Sequence, residues 1–150
     1  MRVLWIDPGK KTGICLFNAD TLKVEHFAIL AGGLTGFRKW WKEEGRMFRR
    51  DLIGCESFET MEGAHGIDMQ NPMEIIGYIK SWDEPVHWQR RNARRKSRLT
   101  PDVLRRAGLY PPRGHLKEGH QVAALQHALS YLIDKRHLGV IELLYPKGAQ

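Results

Sequence analysis

The chain opens on an apolar run, Val3-Leu4-Trp5-Ile6, that stops at Asp7-Pro8-Gly9 and resumes in Gly13-Ile14-Cys15-Leu16-Phe17. Runs of this length, separated by a Pro that fixes φ and a Gly that permits positive φ, predict two buried strands joined as a hairpin. Asn18-Ala19-Asp20 is a turn cluster, and Val24 to Leu30 alternates as a third strand, so three consecutive strands open the fold as an antiparallel meander. Gly32-Gly33 breaks the pattern. From Leu34 to Arg50, Phe37, Trp40, Trp41 and Phe48 recur among Arg, Lys and Glu at the spacing of an amphipathic helix whose aromatics pack on the sheet. Asp51 to Cys55 is a fourth, short apolar run ending at Glu56, the same construction as the opening strand.

Ser57 to Asn71 is rich in Gly, Met and polar residues without a period, which predicts a loop running into a helix from about Pro72, with Pro in its first turn and Ile75, Ile76 and Ile79 as its core stripe. Val86-His87-Trp88-Gln89 is a fifth short strand. Thr100-Pro101-Asp102 has the form of a helix start, with Thr as N-cap, and the short helix through Val103 to Ala107 ends at Gly108. Tyr110 to Gly114 is a Pro-stiffened connector. The last long helix, Gly119 to about Lys135, sets Val122, Leu125, Leu129, Leu132 and Ile133 on one side and His120, Ala123, His127 and Tyr131 on the other. Val140 to Tyr145 is an apolar run that reads as a late strand or an arm, with a subunit contact as its use.

Composition narrows the function. A chain of 150 residues makes one domain, residues 1–150, large enough for a sheet flanked by helices. A formal charge of +7 points to a polyanionic partner, nucleic acid before membrane. The charge is concentrated after the fifth strand, where Arg90, Arg91, Arg94, Arg95, Lys96 and Arg98 follow one another with no acid among them. Such a run repels itself until phosphate neutralises it, although a solvated basic loop is the plainer alternative. Cys15 and Cys55 lie in apolar strands without partners at metal-ligand spacing, as reduced core cysteines of a cytoplasmic protein do. Neither a leader nor a membrane span is expected.

Asp7 and Glu56 each stand where a buried strand reaches solvent, a rigid mount suited to metal binding or acid-base work; an Asp that only caps its turn is the alternative. The element order β-β-β-α-β-α-β-α is that of the α/β RNase H-like fold, a mixed five-stranded sheet flanked by helices, in which the first and fourth strands are neighbours. That adjacency would set the two carboxylates side by side, a repulsive pair usually relieved by a divalent cation. Hard oxygen ligands favour Mg²⁺ or Mn²⁺, which binds a phosphate oxygen, activates water and stabilises the leaving oxygen.

Ile6-Asp7-Pro8-Gly9 with Gly13, then Cys55-Glu56-Ser57-Phe58, then Gly119-His120-Gln121-Val122-Ala123-Ala124-Leu125 through Leu129 resemble, in that order and across nearly the whole chain, the RuvC family of Holliday junction resolvases, its bacteriophage members most of all. The resemblance implies a homodimeric, metal-dependent endonuclease that acts in DNA recombination and repair, inside a bacterial host cell if phage-encoded, and cuts four-way or other branched DNA with two divalent ions. Asp7 and Glu56 match its first two carboxylates, and His120 matches a position held by Asp or His. The family's last catalytic Asp falls at residue 123, which here is Ala123. On a helix, 120 and 123 share a face, so an acid there would reach Asp7 and Glu56, whereas Ala123 offers no ligand atom.

The expectation is thus a two-metal nuclease site of Asp7, Glu56 and His120, inactivated by an Asp-to-Ala change at 123 that is engineered or natural. Lys10, Lys11, Phe58 and the basic residues from Arg90 to Arg98 would contact DNA, with Phe58 and Met61 candidates for wedging into an opened junction. Glu59 and Asp68, in the loop after Glu56, read as solvated loop acids, with an accessory role at the site as the alternative, and His65, His87 and His115 read as structural. The rivals are a non-catalytic branched-DNA-binding protein with Ala123 as its natural residue, and an RNase H-like nuclease acting on flap or RNA-containing substrates. Asp-x-Gly followed by Thr and Gly is also similar to the phosphate hairpin of actin-like ATPases, but those need two such domains.

Overall fold

The computed structural model describes residues 1–57, 67–90, 98–110 and 119–146. Five strands, β1 (Arg2–Asp7), β2 (Thr12–Asn18), β3 (Lys23–Leu30), β4 (Leu52–Ser57) and β5 (Val86–Arg90), form one sheet in the order β3-β2-β1-β4-β5. The first three pair antiparallel, and β4 and β5 run parallel to β1. The described helices are α1 (Gly33–Glu43), α2 (Ile67–Lys80), α3 (Pro101–Arg106), α4 (His120–Asp134) and α5 (Leu138–Leu144).

Strands β1 and β2 are apolar without alternation because both faces of the sheet are covered. Period two then sorts their side chains. Leu4, Ile6, Ile14, Leu16, Ile53 and Cys55 join Phe37, Trp40 and Trp41 of α1 and the three isoleucines of α2 in one core. Val3, Trp5, Cys15 and Phe17 join Leu104 of α3, most of α4, and Val140 and Leu144 of α5 in the other. Trp5 lies against Gly54 on the neighbouring strand, where a Cβ would come within 2.3 Å of the indole ring. The glycine is thus a requirement of the tryptophan.

Several elements differ from the sequence expectation. The helix expected to reach Arg50 ends at Glu43: Glu44 leaves helical geometry and a 3₁₀ turn, Gly45–Met47, follows. A Cβ on Gly45 would lie 2.7 Å from the rings of both Trp40 and Trp41, and the Arg50 guanidinium donates to the carbonyls of Gly45, Arg46 and Phe48, which fixes the turn. Helix α2 begins at Ile67, so Pro72 sits inside it rather than in its first turn. The missing N–H of Pro72 falls just past the four amides that a helix start leaves unpaired anyway, so one bond is lost. Helix α4 is not two-faced: its side chains from Gln121 to Leu132 are nearly all buried, Tyr131 and His127 included.

The C-terminal run is neither strand nor arm. It forms α5, capped by His137, whose Nδ1 accepts from the Val140 amide at 3.4 Å, with Val140 and Leu144 one turn apart in the core. Helix α3 agrees with expectation, with Thr100 accepting from the Val103 amide at 3.3 Å and Gly108 at φ +68° after it. Cys15 and Cys55 are free and buried, and burial pushes both thiols well above the usual range. Among the described residues no helix is long and apolar enough to cross a membrane.

Candidate metal centre

The same alternation that builds the cores delivers the site. In β1 the residues that face α4 are Val3, Trp5 and then Asp7; in β4, with Ile53 and Cys55 turned to α1 and α2, Gly54 and Glu56 face α4. In β5, His87 and Gln89 take that side, His87 lying against Trp5 and Tyr131 with ring centroids 6.0 and 4.7 Å away. Ile6 pairs with Cys55, so Asp7 and Glu56 are the next step on adjacent strands, and Glu56 pairs with Gln89. Three parallel strands thus end in a row of Asp, Glu and Gln beneath one helix. Asp7 is 6% exposed and Glu56 3%, far too little for water to carry their charge.

Helix α4 comes this close because of Gly13. It sits opposite Asp7 in the β1–β2 register and faces the helix, and a Cβ there would lie 2.1 Å from the His120 carbonyl oxygen. The approach brings His120 Nδ1 to 3.4 Å from Asp7 Oδ2, with the imidazole at the rim, 44% exposed. Two turns on, His127 is 1% exposed and points the same way. Its Nδ1 is 2.8 Å from Gln89 Oε1 and its Nε2 is 3.2 Å from Glu56 Oε2. The ring is held flat against Trp5, centroids 6.1 Å apart and planes 8° from parallel.

Ligand atoms of Asp7, Glu56 and His127 lie within 4.8 Å of one another. An amide oxygen only accepts, so His127 donates through Nδ1, and in the neutral imidazole the lone pair then lies on Nε2, which is buried and makes no hydrogen bond. Two ligands each about 2.1 Å from one ion stand roughly 3.0 to 3.4 Å apart, and the 3.2 Å between His127 Nε2 and Glu56 Oε2 falls in that interval. The residues present fit a divalent cation.

Of the residues singled out in the sequence, Asp7 and Glu56 are brought together, and His120 stands on Asp7 at the rim. Ala123 lies between the two histidines along α4, half-buried. His127 was placed on the right face but given no role; its spacing of seven from His120, two helical turns, was the available signal. Gln89 gave no signal beyond its parity in β5. Lys10 and Lys11 are exposed in the turn beside Asp7, which Thr12 Oγ1 braces by donating to the Gly9 carbonyl at 3.1 Å. Arg90 and Arg98 are exposed at the two ends of the basic run, while Phe58, Arg91, Arg94, Arg95 and Lys96 lie outside the described residues. So do Glu59, Met61, His65 and His115; Asp68 falls in the first turn of α2.

No protein-family model matches the chain, and no curated protein matches it. Among solved structures, T. thermophilus RuvC in complex with Holliday junction substrate superposes with a TM-score of 0.66, covering 93% of this chain and 98% of that one at 16% identity. The chain has the RuvC fold. Its mixed five-stranded sheet flanked by helices is the RNase H-like architecture expected from the element order, with β1 beside β4 as that architecture requires.

Proposed function

We propose that the chain is a RuvC-like endonuclease for branched DNA that uses a divalent cation, Mg²⁺ or Mn²⁺, held by Asp7 and Glu56, and that Ala123 leaves it with little or no cleavage activity. The observation that carries this reading is the pair of buried carboxylates at the ends of adjacent parallel strands, facing one helix, in a fold shared with a RuvC bound to Holliday junction substrate. When bound, the ion supplies a Lewis acid for a phosphoryl oxygen and an acidified water. The chain's own residues do the rest. Asp7 and Glu56 concentrate negative charge at a fixed point; Lys10 and Lys11 stand beside it and Arg90 and Arg98 flank the basic run, positions from which they neutralise the phosphates on either side. A homodimer would offer two such sites to a four-way junction, matching its two-fold symmetry.

Installing the acid tests the proposal. Ala123→Asp is expected to raise Mg²⁺- or Mn²⁺-dependent cleavage of a four-way junction by on the order of 10³-fold, and Asp7→Asn in that background to abolish it. A well-folded Ala123→Asp protein that stays silent would favour the second reading, which Ala123 itself suggests: a non-catalytic protein that binds branched DNA. Binding is expected to weaken steeply with salt, and equal affinity for linear duplex and four-way junction at low salt would remove the branch preference from either reading.

A further inference from the structure

Resting on the reading that Asp7 and Glu56 hold a divalent ion, we infer that His127 is a third ligand of that ion, kept in its ligating tautomer by Gln89, and that the centre therefore selects Zn²⁺ and Mn²⁺ over Mg²⁺. The hydrogen bond from Nδ1 to Gln89 Oε1, at 2.8 Å, selects the neutral tautomer that keeps the lone pair on Nε2. That atom is buried, makes no hydrogen bond, and faces Glu56 Oε2 at 3.2 Å. Two electron-rich atoms so close in a dry site are poorly matched to each other, and both are well matched to a cation between them.

The supports of the ring are as specific as its contacts. Trp5 stacks on it, and Gln89 is fixed in turn by the register that pairs it with Glu56 on the next strand. Residue 123 lies one turn before His127 on α4, so the imidazole supplies from the next turn the ligand atom that Ala123 lacks. Exchanging a carboxylate for a neutral imidazole changes the preferred metal: Mg²⁺ favours oxygen ligands and sheds water reluctantly, whereas imidazole suits zinc and its neighbours. His120 has a different part. It is exposed at the rim, bonded to Asp7 through Nδ1, and outside the cluster of three.

Titration calorimetry of the chelator-treated full chain with Zn²⁺, Mn²⁺ and Mg²⁺ measures this without any nuclease assay. Zn²⁺ is expected to bind tightest and Mg²⁺ weakest. His127→Gln should weaken Zn²⁺ about 100-fold while moving Mg²⁺ by less than about 3-fold, Gln89→Leu should weaken Zn²⁺ roughly 10- to 100-fold, and His120→Gln should leave it nearly unchanged. The inference is overturned if His127→Gln leaves Zn²⁺ affinity intact, weakens all three ions equally, or is matched by His120→Gln. Circular dichroism of the metal-free variants checks folding. Should His127→Gln not fold, X-ray absorption of the zinc-loaded natural chain decides, since imidazole scattering supports the assignment and an all-oxygen shell removes it. A silent Ala123→Asp nuclease with this metal order intact would sink the endonuclease reading and leave this one standing.

Discussion

At the N-terminal ends of β1 and β4, the charged groups are matched in pairs and, Arg50 apart, lie at the surface. Arg2 Nε donates to Glu25 at 2.8 Å, the Arg2 amide to Asp51 at 2.6 Å, the α-amino group of Met1 pairs with Asp20, and Arg50 binds Glu84 through two bonds of 2.9 and 2.6 Å. Five residues further along the same strands, Asp7 and Glu56 are buried and share their space with imidazoles and with each other. The first arrangement lets solvent and neighbours satisfy each charge, and the solvent-exposed pairs of Arg2 and Met1 are worth little because water already does most of the work. The second is a concentration of like charge that folding tolerates because the rest of the sheet holds it, and that an ion would relieve. One sheet therefore carries an end where charges are paired and an end where like charges are crowded, and the strands between them are what keeps the two apart.

The largest effect on that contrast is expected from Gly13→Ala. The new Cβ meets backbone, the His120 carbonyl, which cannot rotate away, so α4 must lift from β2. A loss of about 3 kcal/mol or more in urea unfolding is expected, together with weaker metal binding, because the same helix carries both histidines. Unchanged stability would mean that α4 does not dock on Gly13. Glu56→Gln probes the crowded end more gently: in the metal-free protein it should raise stability by about 1 kcal/mol by removing one buried like charge, and excess Zn²⁺ should reverse the order of the two proteins. Thermal melts with and without chelator check both signs.

Glu25→Gln at the opposite end is the smallest. Hydrogen bonds from Arg2 and then Asn18 hold the Glu25 carboxyl below the usual carboxylate range. A depressed folded value means that its contribution is complete above the unfolded value of 4.5 and is lost as pH falls through the lower folded one. The variant should melt about 1–2 °C lower at pH 7 and converge with the natural chain in acid. A gap that widened on acidification would put the stabilisation elsewhere.

The strands and the positions of Asp7 and Glu56 were legible because a buried apolar run that stops abruptly at an acid marks a strand end, and because the element order fixes which strands touch. His127 was not legible as a ligand. A helix covered on both sides by sheet and by α3 and α5 loses the polar-apolar contrast that assigns faces, so His127 and Leu125 are equally buried for different reasons. Val140 to Tyr145 differs from the expectation because six apolar-rich residues have no period long enough to separate strand from helix, and the deciding cap lies upstream in His137. The early start of α2 was hidden by Pro72, which marks a first turn more often than a second.

Gly54 was described as the absence that lets Trp5 lie across the sheet, and that small vacancy makes the protein self-reporting. Of the five tryptophans, Trp40, Trp41, Trp82 and Trp88 belong to the core under α1 and α2, while Trp5 alone stands on the other side, stacked on His127. Its emission is therefore an optical reporter on the imidazole, read against four indoles that belong to the opposite core.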